Sequence, residues 1–396
     1  MGTWDNALTR VSRTSLYASA ALVMQIAALA IWGVKYYGLD DRTAPMVGID
    51  FGIFWAAARV AIEHGASAVF SAAWMVPVEA QVRPVIGYAP FPYPPTFLLA
   101  VLPFGTLKFA HAVALFTALG VGVYGAAIAH LCRDIGTPRL WVAAAFPGVA
   151  LAIYAGQNSL LTAAAAGGAL VLIESAPVRA GACLAFLAIK PQFGVLFPVA
   201  LVCGRHWRML FASGAFGVAF LACSVAVFGV DAWSAFASYL PEFGRTALHH
   251  GDDHWAGMPT LFAMARMAGL PVVGAHALHL AVAIPAAISA AYLWAGHARF
   301  ELRAAALVVA SLLVQPYMMS YDLVWLGLPI ALLLHDSQHD DLTAIDRAGI
   351  GLAWMTPVLA FCNGLFQWPF HVAPIAMIAL LVVIMRRHFA SRRQAA

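Results

Sequence analysis

The sequence predicts an all-α integral membrane protein, a polytopic bundle of about twelve transmembrane helices whose extracytoplasmic loops carry interfacial helices. Of the 396 residues, 63% are hydrophobic and 10% are charged, and the mean hydropathy is +0.83. Apolar runs follow one another from Ser15 to Met385 with only short polar or Gly/Pro breaks between them. Backbone inside a bilayer must satisfy its own hydrogen bonds, so these runs favour helices in a single membrane domain over residues 1–396.

The first apolar run is predicted to be a retained signal anchor, because it follows Arg10 and Arg13 and ends without a small-residue cleavage site. The five cysteines lack metal-ligand spacing and indicate packing rather than a disulfide framework or a zinc site. The net charge of +4 is carried largely at helix ends, which indicates topology and not nucleic-acid binding. No Walker A or dinucleotide motif is present, so no cofactor is predicted, and a metal requirement stays open.

Basic residues mark the cytoplasmic loops of the predicted topology. They are Arg10/Arg13, Arg133/Arg139, Arg179, Arg205/Arg208, Arg299/Arg303, Arg347 and the tail RRHFASRRQ. The apolar segments between them predict spans near 15–34, 109–131, 140–154, 159–174, 180–190, 192–204, 209–229, 272–295, 303–316, 321–334, 348–363 and 371–386. This arrangement predicts a multi-pass protein of the inner (plasma) membrane with both termini in the cytoplasm.

Two long segments, 35–107 and 230–259, are predicted to be extracytoplasmic loops. In the first, DFGIFWAAARVAIEHG has apolar residues at helical spacing and predicts an interfacial helix that begins at Asp50. The segment from Pro94 to Leu107 extends only about 21 Å as a helix, so it predicts a re-entrant element at the membrane edge.

Three polar tips interrupt pairs of short apolar arms: GQNS (156–159), KPQ (190–192) and QPYMMSYD (315–322). Arms this short do not cross the hydrocarbon, so each tip is expected to stop below the outer surface. Irregular polar backbone at that depth is tolerated where it lines a water-filled cavity. The three tips therefore predict one cavity that opens outward.

Asp50 is the leading catalytic candidate, since an acid between an interfacial helix and a membrane cavity can act as a general base. It could also cap the helix, and the two roles are compatible. Lys190 lies between two apolar arms and requires an anionic or polar partner, which could be a ligand phosphate, Asp322 or a carbonyl.

The remaining candidates are weaker individually. Gln157, Asn158 and Gln192 could donate to sugar hydroxyls or phosphate oxygens, although Asn158 could equally cap a helix. Asp322, after Tyr321, is either a second acid of the cavity or a capping carboxylate. Tyr93 could stack on a sugar or isoprene unit or be an ordinary interfacial tyrosine. The loop HHGDDHW (249–255) has the composition of a metal cluster, but a solvated or headgroup-contacting loop is favoured, and no metal site is predicted.

Five words of the sequence, in order, resemble a known family: GIDFGIFWAAA, PFPYPPTF, GQNSLL, KPQFGVLFPVAL before RHWR, and QPYMMSYDL. Together they resemble glycosyltransferase family 87 of the GT-C superfamily, over nearly the whole chain. The resemblance implies a GT-C-type bundle that transfers a hexose, usually mannose, from a polyprenyl-phosphate carrier to a lipid or glycan acceptor outside the cytoplasm, as in glycolipid biosynthesis.

The resemblance also assigns residues. The catalytic aspartate of the family matches Asp50, its YPP element matches Tyr93 to Pro95, and its Lys-Pro word begins at Lys190. Relatives often carry Ser-Pro-His where this chain has Gln315-Pro316-Tyr317, so Tyr317 replaces a donor-phosphate contact, for which His254 or His250 could substitute.

The chemistry agrees with one carboxylate. A lipid phosphate is an acidic leaving group that needs no general acid, so a single base at Asp50 predicts inversion, unlike the paired carboxylates of glycoside hydrolysis. Lys190 would stabilise the charge on the departing phosphate. A lipid-linked-sugar transporter or flippase is the alternative, but it predicts related halves, and no convincing internal repeat is seen. A non-catalytic scaffold would leave the three polar tips unexplained.

Overall fold

The structure is a computed structural model that describes residues 13–83, 88–133, 135–249, 252–368 and 370–395. Within these ranges the regular elements are helical, with no strand, which confirms the all-α class. In chain order the α-helices there are α1 (Arg13–Gly33), α2 (Phe51–His64), α3 (Ala72–Glu79), α4 (Pro95–Val101), α5 (Phe109–Leu131), α6 (Thr137–Ala144), α7 (Pro147–Ala155), α8 (Ser159–Leu172), α9 (Pro177–Ala185), α10 (Leu196–Cys203), α11 (Trp207–His249), α12 (Asp252–Trp255), α13 (Leu261–Met267), α14 (Val272–Ala295), α15 (Phe300–Leu313), α16 (Gly327–Asp336), α17 (Ala344–Phe366) and α18 (Ala373–Ala395).

Short 3₁₀ and π-helical segments lie between some of these helices. A π-helical turn, Val34–Gly38, extends α1, and 3₁₀ segments occupy Ala66–Phe70, Leu102–Thr106, Phe186–Ile189, Pro191–Gly194 and Ser320–Leu326. Two of the predicted polar tips, at Lys190 and at Asp322, coincide with such 3₁₀ segments. The tips are therefore irregular backbone between helices, as the short arms predicted.

Six helices of the described chain are long and apolar enough to cross a membrane. They are Ser15–Gly38, Phe109–Leu131, Trp207–Ala247, Val272–Ala295, Ala344–Phe366 and Ala373–Arg393. The protein is therefore a multi-pass membrane protein. The other predicted spans coincide with shorter helical stretches, such as Arg139–Ala155 and Ser159–Leu172, so the count of about twelve stays a prediction.

Burial separates peripheral helices from the centre of the bundle. In α1 and α11 only 6% of the most apolar window is buried, so their apolar side chains face outward, as expected in lipid. In contrast α15 is buried at every position from Leu302 to Leu313 and packs with α14, α16 and α18. Alanine dominates α8 and part of α15, and small side chains allow helix backbones to approach closely in a membrane bundle.

The first predicted loop folds onto the bundle as an aromatic cluster. In α2 every residue from Phe51 to Ala58 is buried, so this part of the helix packs against protein. The Phe51 ring lies 4.8 Å from that of Phe116 on α5, and the Phe54 ring lies 4.8 Å from that of Phe97 on α4. The predicted helix therefore exists and its first half is buried among aromatic residues, while its position at a membrane interface stays a prediction.

The segment after the proline-rich stretch is two short helical pieces, α4 and the 3₁₀ segment Leu102–Thr106. Pro94 is extended (φ −65°, ψ 158°) and Pro95 is the first residue of α4, where its missing N–H costs nothing. Thr96 Oγ1 donates to the carbonyl of Ala188 at 2.8 Å, which ties α4 to the lysine tip. That this segment re-enters a membrane stays a prediction.

The second predicted loop begins at a kink. Gly229 (φ 77°, ψ 170°) interrupts α11 immediately before Val230, the predicted start of that loop. Beyond the kink, the rings of Phe236 and Tyr239 lie 5.7 Å and 5.8 Å from that of Phe70 in the first loop. Further on, Ser320 N donates to the carbonyl of Gly257 at 3.0 Å. The two loops and the third tip therefore contact one another.

Candidate active site

Asp50 is positioned by the end of helix α7. Its backbone N–H donates to the carbonyl of Ala155 at 2.8 Å, and Gly48 N donates to the carbonyl of Tyr154 at 2.7 Å. The chain then turns at Gly156, which has a left-handed conformation (φ 69°) that favours glycine. These contacts place the Asp50 carboxylate beside the GQNS tip.

Gln157 connects Asp50 to Tyr93. Its Nε2 donates to Asp50 Oδ2 at 2.9 Å, and its Oε1 accepts from the Tyr93 hydroxyl at 2.9 Å. This amide orientation is the one that an ionised carboxylate requires, since a carboxylate only accepts hydrogen bonds. Asp50 makes no side-chain cap bond to α2, so the capping alternative is not what the structure shows.

Lys190 forms an ion pair with Asp322. Its Nζ lies 2.6 Å from Asp322 Oδ1, and both side chains are buried. Asp322 also accepts from the Ser159 hydroxyl and, through Oδ2, from Met319 N at 3.2 Å. The capping role and the pairing role that the sequence left open for Asp322 are thus both present. The Phe193 and Tyr321 rings lie 5.0 Å and 5.3 Å from the ammonium.

The two groups meet at the GQNS tip, because Gln157 holds Asp50 and Ser159, two residues later, holds Asp322. Between them Asn158 is fully buried, and neither Nδ2 nor Oδ1 has a hydrogen-bond partner. It makes no helix-capping bond. A buried amide without partners is costly, so Asn158 is suited to receive a ligand or a water.

The electrostatics agree with one shared site. Burial raises the pKa of Asp50 above the ordinary carboxyl value, while the Gln157 hydrogen bond and the charges of Arg83 and Lys190 lower it part of the way back. Tyr93, Tyr317 and Tyr321 lie within electrostatic range of both Asp50 and Asp322. A base with a raised pKa binds a proton more readily, which suits general-base catalysis near neutral pH.

The roles proposed for Gln192, His254 and His250 stay predictions, because among the described residues the structure shows no side-chain contact of theirs with Asp50 or Lys190. Gln192 takes part through its backbone carbonyl, which accepts from Gln315 Nε2 at 2.7 Å. The His254 side chain is exposed, and no contact in the described chain joins it to Asp50. His250, and the side chains of His249, Asp252 and Asp253, lie outside the described residues. Among the residues that are described, no group of three or more His, Cys, Asp or Glu side chains could hold a metal ion.

Sequence reasoning missed Arg83, which acts on Asp50 electrostatically and is 4% exposed. Its NH1 lies 3.2 Å from Glu79 Oε2, in a pair that is buried on both sides. The i, i+4 spacing of this pair was the available signal. In a predicted extracytoplasmic loop, however, such spacing normally indicates an ordinary surface ion pair.

The comparisons with known proteins agree with the resemblance seen in the sequence. The model of glycosyltransferase family 87 matches residues 91–316, more than half of the chain, including Tyr93, the GQNS tip and Lys190. Asp50 lies outside the matched residues. No curated protein and no solved structure gives a significant match. The chain therefore belongs to glycosyltransferase family 87 and is a membrane glycosyltransferase.

Proposed function

We propose that the protein is an inverting hexosyltransferase of the GT-C type. Its donor is a polyprenyl-phosphate sugar, and mannose is the first sugar to test. The acceptor is a hydroxyl of a lipid or glycan on the extracytoplasmic side of the inner (plasma) membrane. The observation that carries this proposal is the GQNS tip, which holds a carboxylate base at one end and a buried Lys–Asp pair at the other.

Asp50 acts as the general base in this proposal. The acceptor oxygen attacks the anomeric carbon, the bond from that carbon to the phosphate oxygen breaks, and its electron pair leaves with the polyprenyl phosphate. The acceptor proton passes to the Asp50 carboxylate, which Gln157 holds through Oδ2. One displacement by one base inverts the anomeric configuration, in contrast to the double displacement of retaining enzymes.

Lys190 and Asn158 face the phosphate side of the reaction. Lys190 is close enough for its charge to act on Asp50, and it has two further N–H donors beyond the one given to Asp322. The unpartnered Asn158 amide adds a donor and an acceptor at the same tip. Preorganised donors of this kind stabilise charge that develops in the transition state. Tyr93, Tyr317 and Tyr321 supply aromatic surface for a sugar ring or the first isoprene unit.

A transporter or flippase is not favoured by these observations. The matched family consists of glycosyltransferases, and the half-buried Asp50 carboxylate, whose pKa is raised, is suited to accepting a proton. A lipid-linked donor reaches such a site through the bilayer and needs no nucleotide-binding fold. No metal is part of the proposed mechanism.

The test is direct. Purified protein in nanodiscs is incubated with radiolabelled polyprenyl-phosphate mannose, glucose or galactose and with an acceptor-containing lipid extract, with and without EDTA. We expect labelled product from one donor, with the anomeric configuration opposite to that of the donor. Translocation of the labelled donor across vesicles without any product would instead support the transporter.

A further inference from the structure

The strongest feature outside the GQNS tip is the buried ion pair Glu79–Arg83 in the first loop. The two side chains are 1% and 4% exposed, and Arg83 NH1 lies 3.2 Å from Glu79 Oε2. The Glu79 Oε1 and Arg83 Nε atoms are buried without hydrogen-bond partners. A buried pair that is incompletely satisfied contributes little net stability, because desolvation offsets the attraction. Stability alone therefore does not account for this pair.

The position of this pair points to Asp50. The Arg83 stem lies across Gly52, where a β-carbon would come within 2.6 Å of Arg83 Cδ and 2.9 Å of Cγ. Gly52 is the second residue of α2, directly after Asp50 and Phe51. The absent side chain at this glycine is what allows the arginine to pass beside the start of α2.

Glu79 fixes the other side of the same region. Its Oε2 accepts from Ala89 N at 2.9 Å, so the carboxylate that holds Arg83 also holds the segment that leads to Tyr93. The Glu79–Arg83 ion pair therefore connects the start of α2 with the segment before Tyr93. Tyr93 is the residue that donates to Gln157, which in turn binds Asp50.

The groups that face Asp50 show what a cation adds there. Gln157 donates to the Asp50 carboxylate, and the phenols of Tyr93, Tyr154, Tyr317 and Tyr321 lie within electrostatic range of it. The charged neighbours are Arg83 and Lys190, and Lys190 is bonded to Asp322 at 2.6 Å. Of the two cations, Arg83 lowers the pKa of Asp50 more.

We propose that Arg83 is a positioning residue for Asp50: its guanidinium, held by Glu79, favours the ionised carboxylate and fixes the start of α2. As a catalytic device this rests on Asp50 being the base of the proposed function. The electrostatic relationship itself does not depend on the reaction.

The first experiment measures the protonation of Asp50 without substrate. A hydrophobic carbodiimide modifies protonated carboxyl groups, and tandem mass spectrometry assigns the modified residue. In Arg83→Gln we expect the labelling midpoint of Asp50 to move to higher pH by about one unit, the lower end of the effect of a nearby opposite charge. Arg83→Lys should move it less, because the charge is kept.

Arg59→Gln is the matched control, since Arg59 forms an i, i+4 pair with Glu63 on α2 but is exposed. Its Asp50 midpoint should equal that of the wild type. If Arg83→Gln does not fold, the double variant Glu79→Gln/Arg83→Gln removes both buried charges and is tested in the same way. An unchanged midpoint in whichever of these variants folds would overturn the proposal.

The second experiment measures kcat/KM for transfer against pH. Arg83→Gln should lose activity most strongly at the acidic end and regain it as the pH rises, because Asp50 then ionises without help. A merely structural role would lower kcat/KM by one factor at every pH, which would contradict the proposal. If the wild type transfers none of the donors, the proposed function fails, while the carbodiimide result still decides the relationship between Arg83 and Asp50.

Discussion

Gly48 and Gly156 are in direct backbone contact, and a β-carbon on Gly156 would approach the Cα of Gly48 to 2.6 Å. Both glycines have positive φ angles, 81° and 69°. This contact brings the residue before Gln157 against the residue two before Asp50. The hydrogen bond between Asp50 and Gln157 therefore depends on two positions without side chains.

Gly156→Ala should separate Asp50 from Gln157. The left-handed conformation costs an alanine about 1–2 kcal/mol, and the overlap with Gly48 and Phe51 adds to that cost. We expect a lower thermal unfolding temperature in detergent and a loss of transfer. The control is Gly214→Ala on α11, where a β-carbon meets no atom within 4 Å. Equal stability and transfer in the two variants would show that the glycine contact does not hold the site.

The pairing of Lys190 with Asp322 predicts a stability effect as well as a catalytic one. Lys190→Met leaves a buried carboxylate without its cation, which typically costs about 3–5 kcal/mol. The double variant Lys190→Met/Asp322→Asn removes that uncompensated charge, so we expect it to recover most of the unfolding temperature. Transfer should stay low in the double variant, because no ammonium remains near the departing phosphate.

The measurements for this pair are thermal unfolding and donor binding of the folded fraction. Ser159→Ala serves as a comparison, since it removes a neutral donor to the same Asp322 oxygen and leaves the charge pair intact. Wild-type transfer by the folded double variant would assign Lys190 to structure alone.

The sequence predicted which polar residues lie near one another, but it did not predict which of them form hydrogen bonds or ion pairs with each other. Lys190, Gln157 and Asp322 were recognisable because polar side chains between short apolar arms are expensive in a membrane, and the structure brings them together. That Lys190 bonds to Asp322 was one of several open alternatives. The pairing depends on the approach of chain segments 132 residues apart, which local pattern does not fix.

Arg83, Gly48 and Gly156 are residues whose contacts the sequence did not predict. An arginine in a loop is normally solvated, and the i, i+4 pair of Arg83 resembles that of Arg59 on the earlier helix α2. The contact of Gly48 with Gly156 requires knowledge of tertiary packing. Their functional roles, like those of the residues chosen from the sequence, stay predictions until they are tested.

Glu79 should make stability depend on pH in the neutral range. Burial raises the pKa of Glu79 to about 7, although the Ala89 N–H and Arg83 lower it in part. Because the folded value lies above the ordinary 4.5, the folded state favours the protonated form. This contribution to stability is complete below the unfolded pKa and is lost as the pH rises through the folded value.

We therefore expect the unfolding temperature of the wild type to fall as the pH rises from about 4.5 to about 7 and to level off above it. Glu79→Gln is neutral throughout and should show a smaller fall across that window. Glu63→Gln changes an exposed glutamate and should keep the wild-type slope. Parallel curves for Glu79→Gln and the wild type would contradict the raised pKa.

The orientation of the protein can be tested by cysteine labelling in intact cells. Thr43 is exposed in the first loop. In a background without native cysteines, the Thr43→Cys variant should react with a membrane-impermeant maleimide. Arg208 is also exposed and lies in a predicted cytoplasmic loop, so the Arg208→Cys variant should react only after permeabilisation. Labelling of position 208 in intact cells, with position 43 protected, would invert the proposed topology and place Asp50 on the cytoplasmic side.

Asp50→Asn separates the base from the scaffold. The asparagine oxygen can still accept from Gln157 Nε2, so the variant should fold and bind donor like the wild type. It cannot take a proton from the acceptor hydroxyl, and we expect transfer to fall by about 10²-fold or more, the usual scale of general-base catalysis. Asp41→Asn in the same loop is the control, because the Asp41 carboxylate accepts locally from Thr43 N and Thr43 Oγ1. Near-normal transfer by purified Asp50→Asn, with matched donor binding, would remove the central residue of the mechanism. Asp322 would then be the next acid to test, since it is the other carboxylate at the GQNS tip.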